Sequence, residues 1–232
     1  MLNIHVSNMI HIPMDNPVYE NILERIRERF TYNNPIFHEM KKRGYNTHGT
    51  DPYVHNWTFS LFDWVKHLSI PRGAMVWLKQ FLNENNIPFT VRDNRSSGIQ
   101  FEVEWNEKYN PHDYQLIGAS LLSKYQQGFW CYNPGAGKTV LGLYCIAQEK
   151  TSTLIIVNSN ELANQWETQI RKFLKYDHQI GRLQQNIKNI RPITIALMQS
   201  LMNWDENKLS ELNDVPVLIC STVGIITFPV SL

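Results

Sequence analysis

Gly137-Lys138-Thr139 is the stretch of this chain whose residue types and spacing are best suited to chemistry. Phe129-Trp130-Cys131-Tyr132 before it reads as an apolar strand. Asn133-Pro134-Gly135-Ala136-Gly137 reads as a loop of small residues, and Val140, Leu141, Tyr144 and Cys145 follow at helical spacing. Strand, small-residue loop and helix start together make an anion cradle. Glycines let main-chain N–H groups close around a phosphate, and the helix N-terminus adds partial positive charge. In such a cradle the Lys138 ammonium reaches the β- and γ-phosphates and the Thr139 hydroxyl ligates Mg²⁺. ATP and Mg²⁺ are therefore the expected cofactors, held on Pro134, Gly135, Ala136, Gly137, Lys138 and Thr139, with Thr139 as the metal contact. The full signature, G-x-x-x-x-G-K-[ST], asks for a glycine at position 132, where Tyr132 stands; a bulky residue there is expected to crowd the loop. The plainer alternative is a Gly/Pro turn with Lys138 in water.

The elements that must position this loop alternate strand and helix. Tyr114 to Tyr125 is expected as a helix, Phe129 to Tyr132 as a strand and Lys138 to Glu149 as a helix. A strand at Thr153 to Val157 and a helix from Glu161 to Leu174 follow, the helix carrying Leu162, Trp166, Ile170 and Leu174 on one face. Then come a strand at Ile193 to Leu197, a helix at Trp204 to Leu212 and a strand at Val215 to Cys220. That order predicts an α/β fold with a parallel sheet covered by helices on both faces. The cradle falls at a strand's C-terminal end, where open α/β sheets bind ligands. The sheet edge at Val217 to Cys220 reads as exposed; left unpartnered, it would favour aggregation.

Upstream, the pattern is a small α+β domain. Leu2 to Ile12 alternates like a strand. Asn16-Pro17 opens a helix with Val18, Ile22, Ile26 and Phe30 on one face. Asn34-Pro35 opens a shorter helix ending at Gly44, and Trp57 to Val65 is aromatic and strand-like. Pro71 starts a helix with Met75, Leu78, Phe81 and Leu82 on a stripe. Phe89 to Arg92 and Ile99 to Trp105 read as a hairpin around Asn94 to Gly98. The polar, turn-rich Asn106 to Pro111 places the domain boundary, giving an accessory domain over 1–105 and a second domain over 106–232.

The chain has 232 residues, 43% of them hydrophobic, 19% charged, with a net charge of +1, so it can build a core and shows no overall basic signature of nucleic-acid binding. Cys131, Cys145 and Cys220 form no C-x-x-C pair and read as buried, reduced thiols, and the eight histidines show no metal-ligand spacing. No secretory leader or membrane-length apolar run stands out, so a cytoplasmic location, or the host cytoplasm for a viral source, is the default expectation. Lys41-Lys42-Arg43 is the densest basic cluster and reads as a phosphate-contacting patch or as a solvated helix end. Arg92 and Arg95 flank a turn and are candidate nucleic-acid contacts. Trp57, Trp64 and Trp77 suit base stacking, though core packing is the plainer reading, and Trp166 falls on an apolar stripe.

Several of these segments, in order, resemble superfamily 2 DNA helicases of the XPB-like and phage UvsW-like branch. Asp113-Tyr114-Gln115 resembles the tail of that family's Leu-Arg-x-Tyr-Gln segment, with His112 where arginine is usual. The resemblance implies that Gln115 reads the adenine edge. Asn133 to Thr139 is similar to Pro-Thr-Gly-Ser-Gly-Lys-Thr. Thr153 to Val157 with Leu162 and Gln165-Trp166 is similar to the next motif, which implies nucleic-acid contact by Ser159 and Asn160. Ile195 to Leu201 is similar to the "TYQSL" segment, which implies the same for Gln199 and Ser200. Asn34-Pro35 to Gly44, Ile70 to Gly73 and Val91 to Arg95 resemble the branch's accessory domain. The implied architecture is a partial RecA-like lobe preceded by a nucleic-acid-binding accessory domain, and the implied partner is DNA, with RNA left open.

The family's Asp-Glu box, whose Asp holds Mg²⁺ and whose Glu positions the attacking water, is expected after Val217-Leu218-Ile219-Cys220; Ser221-Thr222 stand there. Negligible hydrolysis by this polypeptide alone is the expectation, as for a helicase interrupted by a frameshift, an intron or a split gene. The tail Val223 to Leu232 resembles nothing expected. The rivals are a non-catalytic nucleic-acid-binding module, one half of a split helicase needing a second chain with the C-terminal lobe, and an unrelated P-loop kinase or ATPase. No membrane partner is expected.

Overall fold

Alternation in the first dozen residues makes two strands, not one. In the computed structural model, β1 (Leu2–Val6) and β2 (Met9–Pro13) form an antiparallel hairpin in which His5 faces His11. The structure describes residues 1–62, 64–95, 98–133, 135–185, 187–205, 208, 210–212, 215, 217–220 and 225–227. Two compact units divide at Asn94/Arg95.

In the first unit, Asn16 caps a short 3₁₀ turn at Pro17–Tyr19 through Val18 N–H, and α1 (Glu20–Arg29) follows. Val18 is 79% exposed, so the expected stripe begins later, at Tyr19, Leu23 and Ile26. β3 (Thr31–Asn33) pairs with β4 (Tyr53–His55), and α2 (Pro35–Lys42) lies between them in sequence, capped by Asn34. β5 (Thr58–Phe62) and β6 (Val65–Pro71) form a hairpin, then α3 (Met75–Glu84) leads to β7 (Phe89–Asp93). The sheet order is β5-β6-β2-β1-β7. Leu2, Ile4, Ile10, Ile12, Leu68 and Ile70 project from one sheet face and meet Leu23 and Ile26 of α1 and Leu78, Phe81 and Leu82 of α3. Trp77 stacks on Phe81 at 4.9 Å, whereas Trp64 is 92% exposed and belongs to no core. The expected hairpin of Phe89–Arg92 with Ile99–Trp105 does not form: β7 pairs in parallel with β1.

The second unit begins before the expected boundary. Val103 lies in its core, and β8 (Glu104–Trp105) pairs with β11 (Leu174–Lys175). Asn106 to Pro111 therefore falls inside this unit, not between domains. Its remaining elements are α4 (Asp113–Tyr125), β9 (Gln127–Phe129), α5 (Lys138–Glu149), β10 (Thr153–Val157), α6 (Asn160–Phe173), β12 (Gly181–Gln184), β13 (Ile187–Asn189), β14 (Ile193–Leu197), α7 (Met198–Met202), β15 (Val217–Cys220) and β16 (Ile225–Thr227). Of the helix expected over Trp204 to Leu212, the described residues show Lys208 as α-helical and a 3₁₀ turn at Ser210–Leu212; Glu206, Asn207 and Leu209 lie outside the described residues. β10 is inserted in parallel between β14 and β15, in a sheet ordered β13-β12-β14-β10-β15-β16-β9. Ile155 and Val157 point to a core shared with α4, α5 and α6, while Leu154 packs on the opposite face with Leu183, Ala196 and Leu212. That alternation is how a five-residue strand serves two faces.

The tail corrects two expectations. Ile225 to Thr227 form β16, which runs antiparallel to β15 on one side and to β9 on the other. The edge of β15 is thus paired, and its N–H and C=O groups gain ladder partners from the β-branched tail. The strand before the loop also ends earlier than expected, at Phe129.

Candidate functional site

α4 and α5 together build the loop between them. Gly118 on α4 lets the two units of packing meet: a Cβ there would lie 1.5 Å from Trp130 Cη2. Trp130, in turn, starts a row of stacked rings. Trp130 and Tyr132 lie 4.6 Å apart, Tyr132 and Tyr114 5.4 Å, and Tyr114 and His112 5.3 Å, all near parallel. This resolves the missing first glycine. Tyr132 does not crowd the loop; its ring is held in the stack between Trp130 and Tyr114.

The loop is fastened to α4 by side chains from consecutive residues. Tyr114 Oη donates to Ala136 O at 3.0 Å, and Gln115 Nε2 donates to Gly137 O at 3.1 Å and to Ala136 O at 3.4 Å. Gln115 Oε1 accepts from His112 N–H at 2.9 Å, closing the capping box of α4. Gln115 is 2% exposed, and both ends of its amide are engaged by protein. It braces the loop from the wall of the cleft beside it. Gly137 takes φ +74°, and a Cβ on it would lie 2.4 Å from Gln115 Nε2, so this position needs glycine for two reasons. Gly135 takes φ +85° with nothing within 4 Å of a Cβ, which leaves open space on the loop's outer side. Pro134 lies outside the described residues.

No side chain caps the start of α5, and no acid sits in its first turn. Its N–H groups are left for an anion. Lys138 Nζ donates to Tyr132 O at 2.8 Å, a neutral partner that a phosphate would outcompete. Thr139, one residue on, has no side-chain bond among the described residues. Beside the loop is a cleft of about 420 Å³, lined by Trp105, Tyr109, His112, Tyr114, Gln115, Gly135 to Gly137, Val140 and Phe173. Trp105 stacks on Phe173 at 5.6 Å, and its Nε1 donates to Tyr109 O at 2.6 Å. These aromatic walls were missed in the sequence, because the β8–β11 pairing that brings Trp105 to Phe173 joins segments far apart in the chain.

The loops after β10 and β14 also meet. Val157 and Leu197 are paired neighbours, so Ser159, Asn160, Gln199 and Ser200 share one end of the sheet. Gln199 Nε2 reaches Asn158 O at 3.5 Å. Ser159 is the N-cap of α6, accepting from Leu162 N–H at 3.3 Å; a hydrogen bond from the Glu161 backbone N–H, with a smaller one from the Ser159 side chain, holds the Glu161 carboxyl below its usual range. Ser200 Oγ accepts from Gln185 N–H at 3.0 Å. The remaining basic candidates lie on different elements. Lys41 and Lys42 are exposed on the last turn of α2, and Arg43, its C-cap, pairs with Glu39. Arg92 is exposed on the edge strand β7, and Arg95 opens the second unit. Ser221 and Thr222 lie outside the described residues.

The cysteines differ from one another. Cys131 is exposed, against expectation, while Cys145 is buried on α5, and burial, with a smaller push from Glu149, raises its thiol pKa to about 12. Alkylation by iodoacetamide at neutral pH should therefore modify Cys131 and spare Cys145 in the folded chain, read by peptide mass. Equal modification of both would contradict the packing of α5.

The family model for the type III restriction enzyme res subunit matches residues 104–220, which spans β8 to β15 and includes the loop. The chain belongs to that family. Within it, this member is 32% identical over 128 residues to a DNA 3'-5' helicase named Rad25 from Haloarcula marismortui, covering 55% of this chain. It is 29% identical over 135 residues to the DNA 3'-5' translocase XPB2 of Sulfurisphaera tokodaii, and 30% identical over 96 residues to the DNA 3'-5' helicase XPB of Mycobacterium tuberculosis. The matched segments span 20%, 31% and 18% of those proteins' own lengths. The XPB-like resemblance read from the motifs is upheld. In fold, the chain is similar to the UvsW helicase of bacteriophage T4, with a TM-score of 0.64 at 13% identity, covering 94% of this chain and 81% of that one. Among the described residues no helix is long and apolar enough to cross a membrane.

Proposed function

We propose that this res-subunit family member is the nucleotide- and DNA-binding portion of an ATP-dependent helicase or translocase, with ATP phosphates on the Gly135–Thr139 loop. The observation that carries this is the loop itself. Two left-handed glycines, an uncapped helix start and a lysine parked on a neutral carbonyl surround open space beside an aromatic cleft. Those residues fit a triphosphate. Main-chain N–H groups of α5 and the Lys138 ammonium would hold the phosphates, and Thr139 would take the Mg²⁺. The aromatic cleft walls suit the base, with Gln115 acting through its grip on the loop. Bound Mg·ATP would supply the phosphoryl group whose transfer drives such motors.

DNA is proposed to lie against the loops carrying Ser159, Asn160, Gln199 and Ser200, with further contacts from Lys41, Lys42, Arg43, Arg92 and Arg95. Ser221 and Thr222 follow β15 where hydrolysis needs carboxylates. That favours a second reading, in which the chain binds nucleotide without turning it over and is completed by a separately encoded lobe. The test is coupling. A motor lobe links its two ligands, so Mg·ADP should change the affinity for labelled DNA by at least about fivefold in anisotropy titrations. An identical DNA affinity with and without nucleotide, and in Lys138→Ala, would leave a passive nucleic-acid-binding module.

A further inference from the structure

The first unit has a cleft of its own, of about 420 Å³, between α1, β3 and β4, within the size range of small-ligand sites. Tyr53 and Trp57 give it aromatic walls, and Glu24, Arg27 and Glu28 of α1 supply charge. We propose that this cleft takes a single unstacked nucleobase from a single-stranded nucleic acid; the proposal rests on the reading of the chain as nucleic-acid-binding.

Four observations lead there. Trp57 is a fixed plate: its Nε1 donates to Thr31 Oγ1 at 3.0 Å, and its ring meets His55 at 5.1 Å and Phe59 at 5.2 Å, edge to face. Tyr53, by contrast, is 51% exposed, so a flat ligand can reach its ring without opening the core. The Arg27 guanidinium lies 5.9 Å from the Trp57 ring centroid, and its Nε is buried with no acceptor among the described residues. A buried donor without an acceptor is costly, and a small turn of the guanidinium toward the cleft would give it an incoming carbonyl or ring nitrogen. Glu24 and Glu28 carry no ion pair among the described residues, and two carboxylates repel a phosphate. They accept instead from amino and imino N–H groups, which bases present beside their carbonyls.

Donor, acceptors and rings therefore match the edge and face of a base and disfavour its backbone. The residues beyond the cleft continue the pattern. Tyr53, His55, Trp57 and Phe59 occur at every second position, with Lys66 Nζ 4.1 Å from the Phe59 ring centroid. Aromatic side chains interleaved with cations make a stacking platform for a single strand. Cytosine is the preferred probe, because its N4 amino group pairs with a carboxylate and its carbonyl can take the Arg27 donor.

The test uses the full chain and three labelled strands of equal length: oligodeoxycytidine, an abasic strand with the same phosphates, and a duplex. The chain should bind oligodeoxycytidine more tightly than the abasic strand by about tenfold or more. Tyr53 is half exposed, so Tyr53→Ala should spare the β3–β4 backbone pairing. It should remove most of that difference while leaving abasic binding unchanged, and Arg27→Gln should do the same. Equal binding of the base-bearing and abasic strands, or an equal loss on both in Tyr53→Ala, would overturn the base cleft and leave DNA binding standing. Failure to bind any of the three strands would overturn both.

Discussion

Lys138→Ala is expected to lower affinity for Mg·ADP and Mg·ATP by at least about 100-fold. The ammonium can give a triphosphate two or more charge-assisted hydrogen bonds, and each contributes about 1.5–3 kcal/mol. The folded chain should hardly notice the change. Among the described residues the Lys138 side chain makes one hydrogen bond, to Tyr132 O, and that bond is exposed, so stability should move by about 1 kcal/mol or less. Calorimetric titration of nucleotide together with a thermal melt separates the two effects. A small affinity loss with a large drop in melting temperature would mean that Lys138 holds the loop and not a ligand.

Gly118→Ala is expected to be the most damaging single-atom change in the second unit. A Cβ there meets Trp130 Cη2 at 1.5 Å and Cζ3 at 1.6 Å, both in a ring with little freedom to move. Overpacking of this kind costs about 1–3 kcal/mol or more, roughly 5–10 °C in melting temperature for a unit of this size. Displacing Trp130 also breaks its stack with Tyr132, so nucleotide affinity should fall alongside stability, which separates this variant from Lys138→Ala. The control is Gly44→Ala. Gly44, unlike the helical Gly118, has a positive φ, +72°, and nothing lies within 4 Å of its Cβ, so the cost should be about 1 kcal/mol from backbone strain alone, with no effect on nucleotide. A loss at Gly118 no larger than at Gly44 would contradict the Trp130 clash.

What the sequence made legible was local. The loop announced itself through Gly137-Lys138-Thr139. Trp166 and Ile170 lie buried on their helix stripe, and Asn34-Pro35 starts a helix whose N-cap is Asn34. Features that depend on pairing distant segments stayed hidden. Phe89–Asp93 took β1 as its partner, since the buried face of that sheet could be completed there, and Ile99–Trp105 was drawn into the second unit. Tyr132 looked like an obstruction because composition cannot show where a ring points; stacking between Trp130 and Tyr114 removes it from the loop. Gln115, which the resemblance marks as base-reading, lines the cleft, and its buried amide is engaged by the carbonyls of Ala136 and Gly137, partners that sequence could not show. The tail matched no motif but could still form a strand, which needs little more than β-branched residues and two open ladders.

The central claim is that the backbone from Gly135 to Thr139 seats the phosphates of a nucleotide. Hydrogen exchange measured on the whole chain with and without Mg·ADP addresses those amides directly. Exchange should slow at Gly135, Ala136, Gly137, Lys138 and Thr139, and the slowing should be lost in Lys138→Ala. Unchanged exchange across that loop at saturating nucleotide, or slowing confined to other segments, would contradict it.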